Sequence, residues 1–123
     1  MYDHLSPPSI ETRNVMAGLF RVIEQFGMLP STYQAAFLTI ASDPGHSVDV
    51  YAKRLNVTPA IMSRRLIDLS DQPSRSRKRE GHALIESRRD PIDRRLVQIF
   101  LTPKGKALAT RLERLVARQY LAA

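Results

Sequence analysis

The chain contains no cysteine, which removes disulfides, thiolate metal sites and cysteine-based catalysis or redox sensing. No apolar run approaches the ~18–20 residues of a transmembrane helix, so no membrane partner is expected. The opening stretch MYDHLSPPSIET has neither the basic nor the apolar region of a signal peptide. The expected compartment is therefore the cytoplasm, at the nucleoid if the partner is nucleic acid. Glycine-rich phosphate loops and internal repeats are also missing. The histidines His4, His46 and His82 lie far apart, without metal-ligand spacing. No metal, cofactor or catalytic group is expected. Tyr and Phe number only four each and fall mainly in apolar stripes, which leaves no stacking platform for RNA. At 123 residues, 43% hydrophobic and 25% charged, the remaining class is one globular domain spanning 1–123.

Charge is what the chain has in excess. It carries 19 Lys+Arg against 12 Asp+Glu, a formal net of +7, and so favours an anionic partner. Residues 1–46 hold four acidic and two basic side chains, while residues 47–106 hold 14 basic and seven acidic. Twelve of those 14 cations lie between positions 53 and 95, and only two of the 12, Lys53 and Lys78, are lysine. Arginine is the residue of planar, bidentate contacts to phosphate and guanine, whereas lysine would serve solubility as well. Nucleic acid is favoured over an anionic membrane, because the arginines cluster at turns rather than along one helical face.

The pattern of elements is helical with one hairpin. Ser9 can cap a first helix that Gly27 ends, with Met16, Leu19, Phe20 and Ile23 at helical spacing. Ser31 and Gln34 are spaced as a capping box for a second helix. A short third helix follows Ser47 and runs to Leu55. Asn56 suits a left-handed turn, and Thr58-Pro59 is a sharp helix start. Residues 83–87 and 96–101 read as strands, joined by a charged turn over 88–95. Thr102-Pro103 opens the last helix.

A short helix, a tight turn and a sharply started helix form a helix-turn-helix pattern, although a plain helical hairpin fits the same spacing. If Met62, Leu66 and Leu69 face the core, then Ala60, Arg64, Ile67 and Asp71 face outward, with Ser63 at the edge. The first turn, Thr58, Pro59, Ala60, Ser63 and Arg64, is small, polar and basic, as a recognition helix requires for close approach to base edges and phosphates. Arg65 lies nearer the core edge, within reach of a backbone phosphate. The hairpin, tipped by Arg88, Arg89, Arg94 and Arg95, can lay arginines into a minor groove. Asp93 can fix Arg95 by an ion pair. The loop cations Arg75, Arg77, Lys78 and Arg79 fit either a second DNA contact or a solubilising surface. Asp90 and Asp93 are spaced as a carboxylate pair, but four arginines would hold them ionised, which suits no general acid.

These residues resemble a known family. DPIDRRLVQIFLTPKG, residues 90–105, is similar to the wing and following helix start of MarR-type winged helix-turn-helix regulators, with Asp93, Arg95, Ile99, Leu101, Thr102 and Gly105 meeting the pattern. LNVTPAIMSRRLIDL resembles that family's turn and recognition helix, and YQAAFLTIA the helix before it. The resemblance covers residues 31–116. It implies a mainly α fold with a small β-hairpin wing, in which 31–102 bind DNA and terminal helices at 9–30 and 103–121 pair two copies. It further implies that residues 58–65 enter the major groove, that Arg94 and Arg95 form the wing tip, and that Asp93 orients Arg95. The partners implied are double-stranded DNA with a pseudo-palindromic operator, a second copy of the chain, and an unidentified small-molecule effector. The expected function is a sequence-specific transcriptional regulator, a repressor. The alternative is a winged helix used in replication, in plasmid or phage control, or as a protein-interaction module.

Overall fold

The computed structural model describes residues 10–70 and 81–118. Two compact units divide the chain: Met1–Met28 with Arg111–Ala123, and Leu29–Thr110. The first contains helix α1 (Ile10–Glu24), with Glu11 in its first turn and Arg21 in its last, the signs that suit a helix dipole. A turn after Glu24 passes through Gly27 at φ +64. Along α1, Met16, Leu19, Phe20 and Ile23 remain 41–62% exposed while Gly18 is buried.

The second unit holds α2 (Ser31–Ser42), α3 (Val48–Arg54), α4 (Pro59–Leu69), β1 (Ile85–Arg89), β2 (Val97–Leu101) and the first turns of α5 (Pro103–Val116). Its core is built from Ala36, Phe37 and Ile40 of α2, Tyr51 and Ala52 of α3, and Met62, Leu66 and Leu69 of α4, closed by Leu84, Ile85, Ile99 and Leu101. Helical spacing on α4 and period-two spacing on β2 put these residues inward.

Two local expectations are corrected. The Ser31–Gln34 capping box does not form: Pro30 is the N-cap, without a side-chain bond, and Gln34 Nε2 instead donates to the Leu29 carbonyl at 2.8 Å. Because Pro30 has no side-chain acceptor, Gln34 finds its partner in the chain that precedes the helix. The first strand begins at Ile85 and runs to Arg89, so Arg88 and Arg89 lie on a strand and not in the turn. Residues 82–84 are unavailable to the ladder because their amides close the end of α4. His82 N donates to Asp68 O at 3.1 Å, Ala83 N to Ser70 O at 3.2 Å and Leu84 N to Leu69 O at 2.8 Å. These bonds satisfy carbonyls that a helix end otherwise leaves without partners. The geometry requires Ala83 at φ 58.

Thr102 locks the same junction from the other side. Its amide donates to Leu84 O at 3.1 Å and its hydroxyl to Ala83 O at 2.6 Å, while that hydroxyl accepts the Gly105 amide at 3.0 Å. The antiparallel hairpin pairs Ile85 with Leu101, Ser87 with Ile99 and Arg89 with Val97. Backbone bonds from Gly45 N to Ile99 O and from Ile99 N to His46 O add a third segment beside β2.

A Cβ at Gly105 would stand 2.1 Å from the Leu84 carbonyl oxygen, a backbone atom that cannot swing away. Gly105→Ala is expected to lower stability by roughly 1–3 kcal/mol through overpacking, read as a fall in Tm of several degrees by circular dichroism. An unchanged Tm would contradict this close approach.

Candidate nucleic-acid interface

α4 begins as its sequence predicts. Asn56 adopts φ 54, Val57 N reaches back to Ala52 O at 3.0 Å, and the Thr58 hydroxyl accepts the Ile61 amide at 3.2 Å. Pro59 occupies the first turn, where its missing N–H costs nothing. Thr58, Pro59, Ala60, Ser63 and Arg64 are all exposed, and Arg65 is half-buried. Ile61 and Ile67 are exposed beside them, at 44% and 42%. The exposed start of α4 thus combines open N–H dipoles, small side chains and one free-standing guanidinium, a combination suited to base edges and phosphates. Tyr33 of α2 holds the opposite end of the helix, donating its hydroxyl to Asp68 at 2.5 Å.

The wing is ordered by its own carboxylates. Asp90 accepts the amides of Ile92 at 2.8 Å and Asp93 at 2.9 Å. Asp93 accepts both the amide of Arg95, at 3.2 Å, and its Nε, at 3.3 Å. Arg95 remains 93% exposed while so held. Arg89 Nη1 donates to the Arg94 carbonyl at 2.9 Å, bracing the two sides of the turn. Arg88 behaves differently. Its guanidinium carbon lies over the Phe100 ring, 4.5 Å from the centroid, and it is paired with Glu86. That places its charge on the outer face of the ribbon, away from the tip. Asp71 and the loop cations Arg75, Arg77, Lys78 and Arg79 lie outside the described residues.

An open groove of about 420 Å³ separates α4 from the hairpin, lined by Ser63, Ile67, Ser70, Glu86, Ser87 and Val97 among others. Across the unit, Asp43 accepts both Arg54 Nη2 and His46 Nε2 at 2.9 Å. The Arg54 bond, then the His46 bond, hold its carboxyl below the ordinary value of 3.8. Among the described residues no group of three or more acidic or histidine side chains could hold a metal ion, and no helix is long and apolar enough to cross a membrane.

Sequence reasoning passed over Pro91 and Ile92 at the turn and the exposed Ile61 on α4. The signal for Ile92 was present, since an apolar residue between two aspartates is out of place in a polar turn.

No family model matches the sequence, and no curated protein matches it significantly. Solved structures do match. A MarR-like transcriptional regulator from Thermotoga maritima superposes with a TM-score of 0.68 at 19% identity, covering 93% of this chain and 79% of that one. S. aureus MepR, solved as a DNA complex, gives 0.65 at 19% identity over 89% and 81%. The transcriptional repressor CouR, bound to a 23-mer DNA duplex, gives 0.56 at 25% identity over 92% and 76%. The architecture is that of a winged helix-turn-helix protein. More narrowly, it is the MarR-type winged helix, with the hairpin as wing and α4 in the recognition-helix position.

The Asp93 and Ile92 amides, in that order of effect, lower the Asp90 carboxyl below its ordinary value of 3.8. A depressed folded-state pKa contributes order above the unfolded value and loses it as pH falls through the folded one. The amide NMR shift of Ile92 is therefore expected to make its main change only below the ordinary carboxylate value. In Asp90→Ala that transition should vanish; a transition centred at or above 3.8 would contradict the cap.

Proposed function

We propose that the chain is a sequence-specific double-stranded DNA-binding transcriptional regulator acting as a repressor. In this reading Thr58, Pro59, Ala60, Ser63, Arg64 and Arg65 of α4 address the major groove. Arg89, Arg94 and Arg95, with Asp93 as positioning residue, take the adjoining minor groove. The observation that carries it is the wing tip, where Asp93 fixes the backbone and side chain of Arg95 yet leaves the guanidinium almost wholly in solvent. A charge held out in one geometry suits a groove whose negative potential is focused by narrowing. Structures of this fold solved on DNA, those of MepR and CouR, support the same assignment.

The operator is pseudo-palindromic and the protein a homodimer. The exposed Met16, Leu19, Phe20 and Ile23 of α1 offer a second copy an apolar surface to cover. Arg88 contributes field rather than a groove contact, since Glu86 and Phe100 already engage it. Binding to operator DNA sets the place of action at the nucleoid, within the cytoplasm. An effector small molecule is the remaining partner in this reading.

Selection of genomic duplexes by the purified protein tests the proposal and supplies the operator. Arg64→Ala and Arg95→Ala should each cost about 1–3 kcal/mol of binding to the enriched site, and wild-type affinity should fall linearly with log salt. An unenriched pool, or variants that bind as wild type in fluorescence anisotropy, would overturn the regulator assignment.

A further inference from the structure

Ile92 stands at the tip of the wing, 97% exposed, with the ring of Pro91 beside it, also exposed. A lone exposed isoleucine is common on proteins, but this one is held in place. Its amide and the next are bonded to Asp90, Asp90 N closes the turn onto Leu96 O at 2.9 Å, and Leu96 N returns to Asp93 O at 3.0 Å. Pro91 fixes its own φ and has no donor to satisfy. The turn therefore presents an apolar point whose backbone donors are already used.

The surrounding charges are sorted in the same sense. Asp90 and Asp93 each use Oδ1 in internal bonds, Arg95 is steadied by Asp93, and Arg89 is tied to the Arg94 carbonyl. An apolar point on a turn that also carries Arg94 and two internally bonded arginines, Arg89 and Arg95, is complementary to a minor groove, which has anionic phosphate walls and sugar and base edges between them. A lipid surface would call for a wider apolar face, and a protein partner for a contiguous apolar patch.

Resting on the DNA-binding reading above, we propose that Ile92, with Pro91, is an apolar wedge that seats in the minor groove against a base step, between phosphates engaged by Arg89, Arg94 and Arg95. The wedge biases the operator toward an easily unstacked pyrimidine–purine step at that point. It is a specificity device distinct from the arginine contacts, because it reads deformability and releases no counterion.

The test uses the full chain and the duplex enriched by selection. Wild type, Ile92→Ser and Ile92→Leu are titrated by anisotropy at several salt concentrations. 2-Aminopurine is placed in turn at each step of the flank under the wing. Ile92→Ser should weaken binding roughly tenfold, in keeping with the loss of one buried aliphatic side chain. Its slope of log affinity against log salt should match wild type, since no cation is removed. Wild type and Ile92→Leu should raise 2-aminopurine fluorescence at one step, and Ile92→Ser should not. The wedge is overturned if Ile92→Ser binds as tightly as wild type, or if no step brightens with wild type. Failure of wild type to retain any duplex would instead remove the DNA-binding reading, and the wedge with it.

Discussion

The junction at the end of α4 is the constraint on which the rest of the second unit depends. Three successive amides, of His82, Ala83 and Leu84, end α4 by bonding its last carbonyls and that of Ser70. The carbonyls of Ala83 and Leu84 then receive the hydroxyl and amide of Thr102. The helix end, the start of β1 and the start of α5 are thus joined through a few backbone atoms. Gly81 and Gly105 permit this closeness, because a Cβ at either would overlap a carbonyl oxygen. The wing consequently leaves the core at a fixed place beside α4.

Carboxylates play an unexpected part in a basic surface. Asp90 and Asp93 lie on the tip assigned to DNA in the proposed reading, where an anion repels phosphate. Oδ1 of each accepts amides, and that of Asp93 also the Arg95 side chain, so these anions shape the tip. Preorganisation of this kind lowers the conformational entropy lost on binding. Arg88 shows the opposite arrangement, with its cation used for packing on Phe100 and pairing with Glu86. Counting arginines on the hairpin therefore overstates the number presented at its tip, whereas following their partners separates them.

Most of the fold was legible because its signals are local. Thr58-Pro59 starts a helix by chemistry contained in two residues, Asn56 takes the left-handed turn its short amide tolerates, and Ile99 and Leu101 alternate into the core as period two requires. The Asp93–Arg95 pair was legible for the same reason, its partners being two residues apart. What the sequence left hidden depends on distant partners. Ala83 carries no mark of a positive φ; only the returning chain over α4 imposes it. Gln34 passes over Ser31 for the Leu29 carbonyl, which is reachable because Pro30 begins the helix. Arg88 reads as a turn cation until strand pairing brings Phe100 of β2 beneath it. The Gly45–His46 backbone likewise acquires its strand partners only when β2 arrives.

In the proposed reading, α4 and the hairpin, fixed to one junction, read one duplex together in adjacent grooves. The most direct measurement is paired footprinting on the selected operator, with dimethyl sulfate reporting guanine N7 in the major groove and hydroxyl radical reporting sugars along the minor groove. The structure predicts N7 protection at the segment under α4 and sugar protection across the neighbouring minor groove on the same face. Protection in only one of the two grooves, or on opposite faces of the duplex, would contradict it.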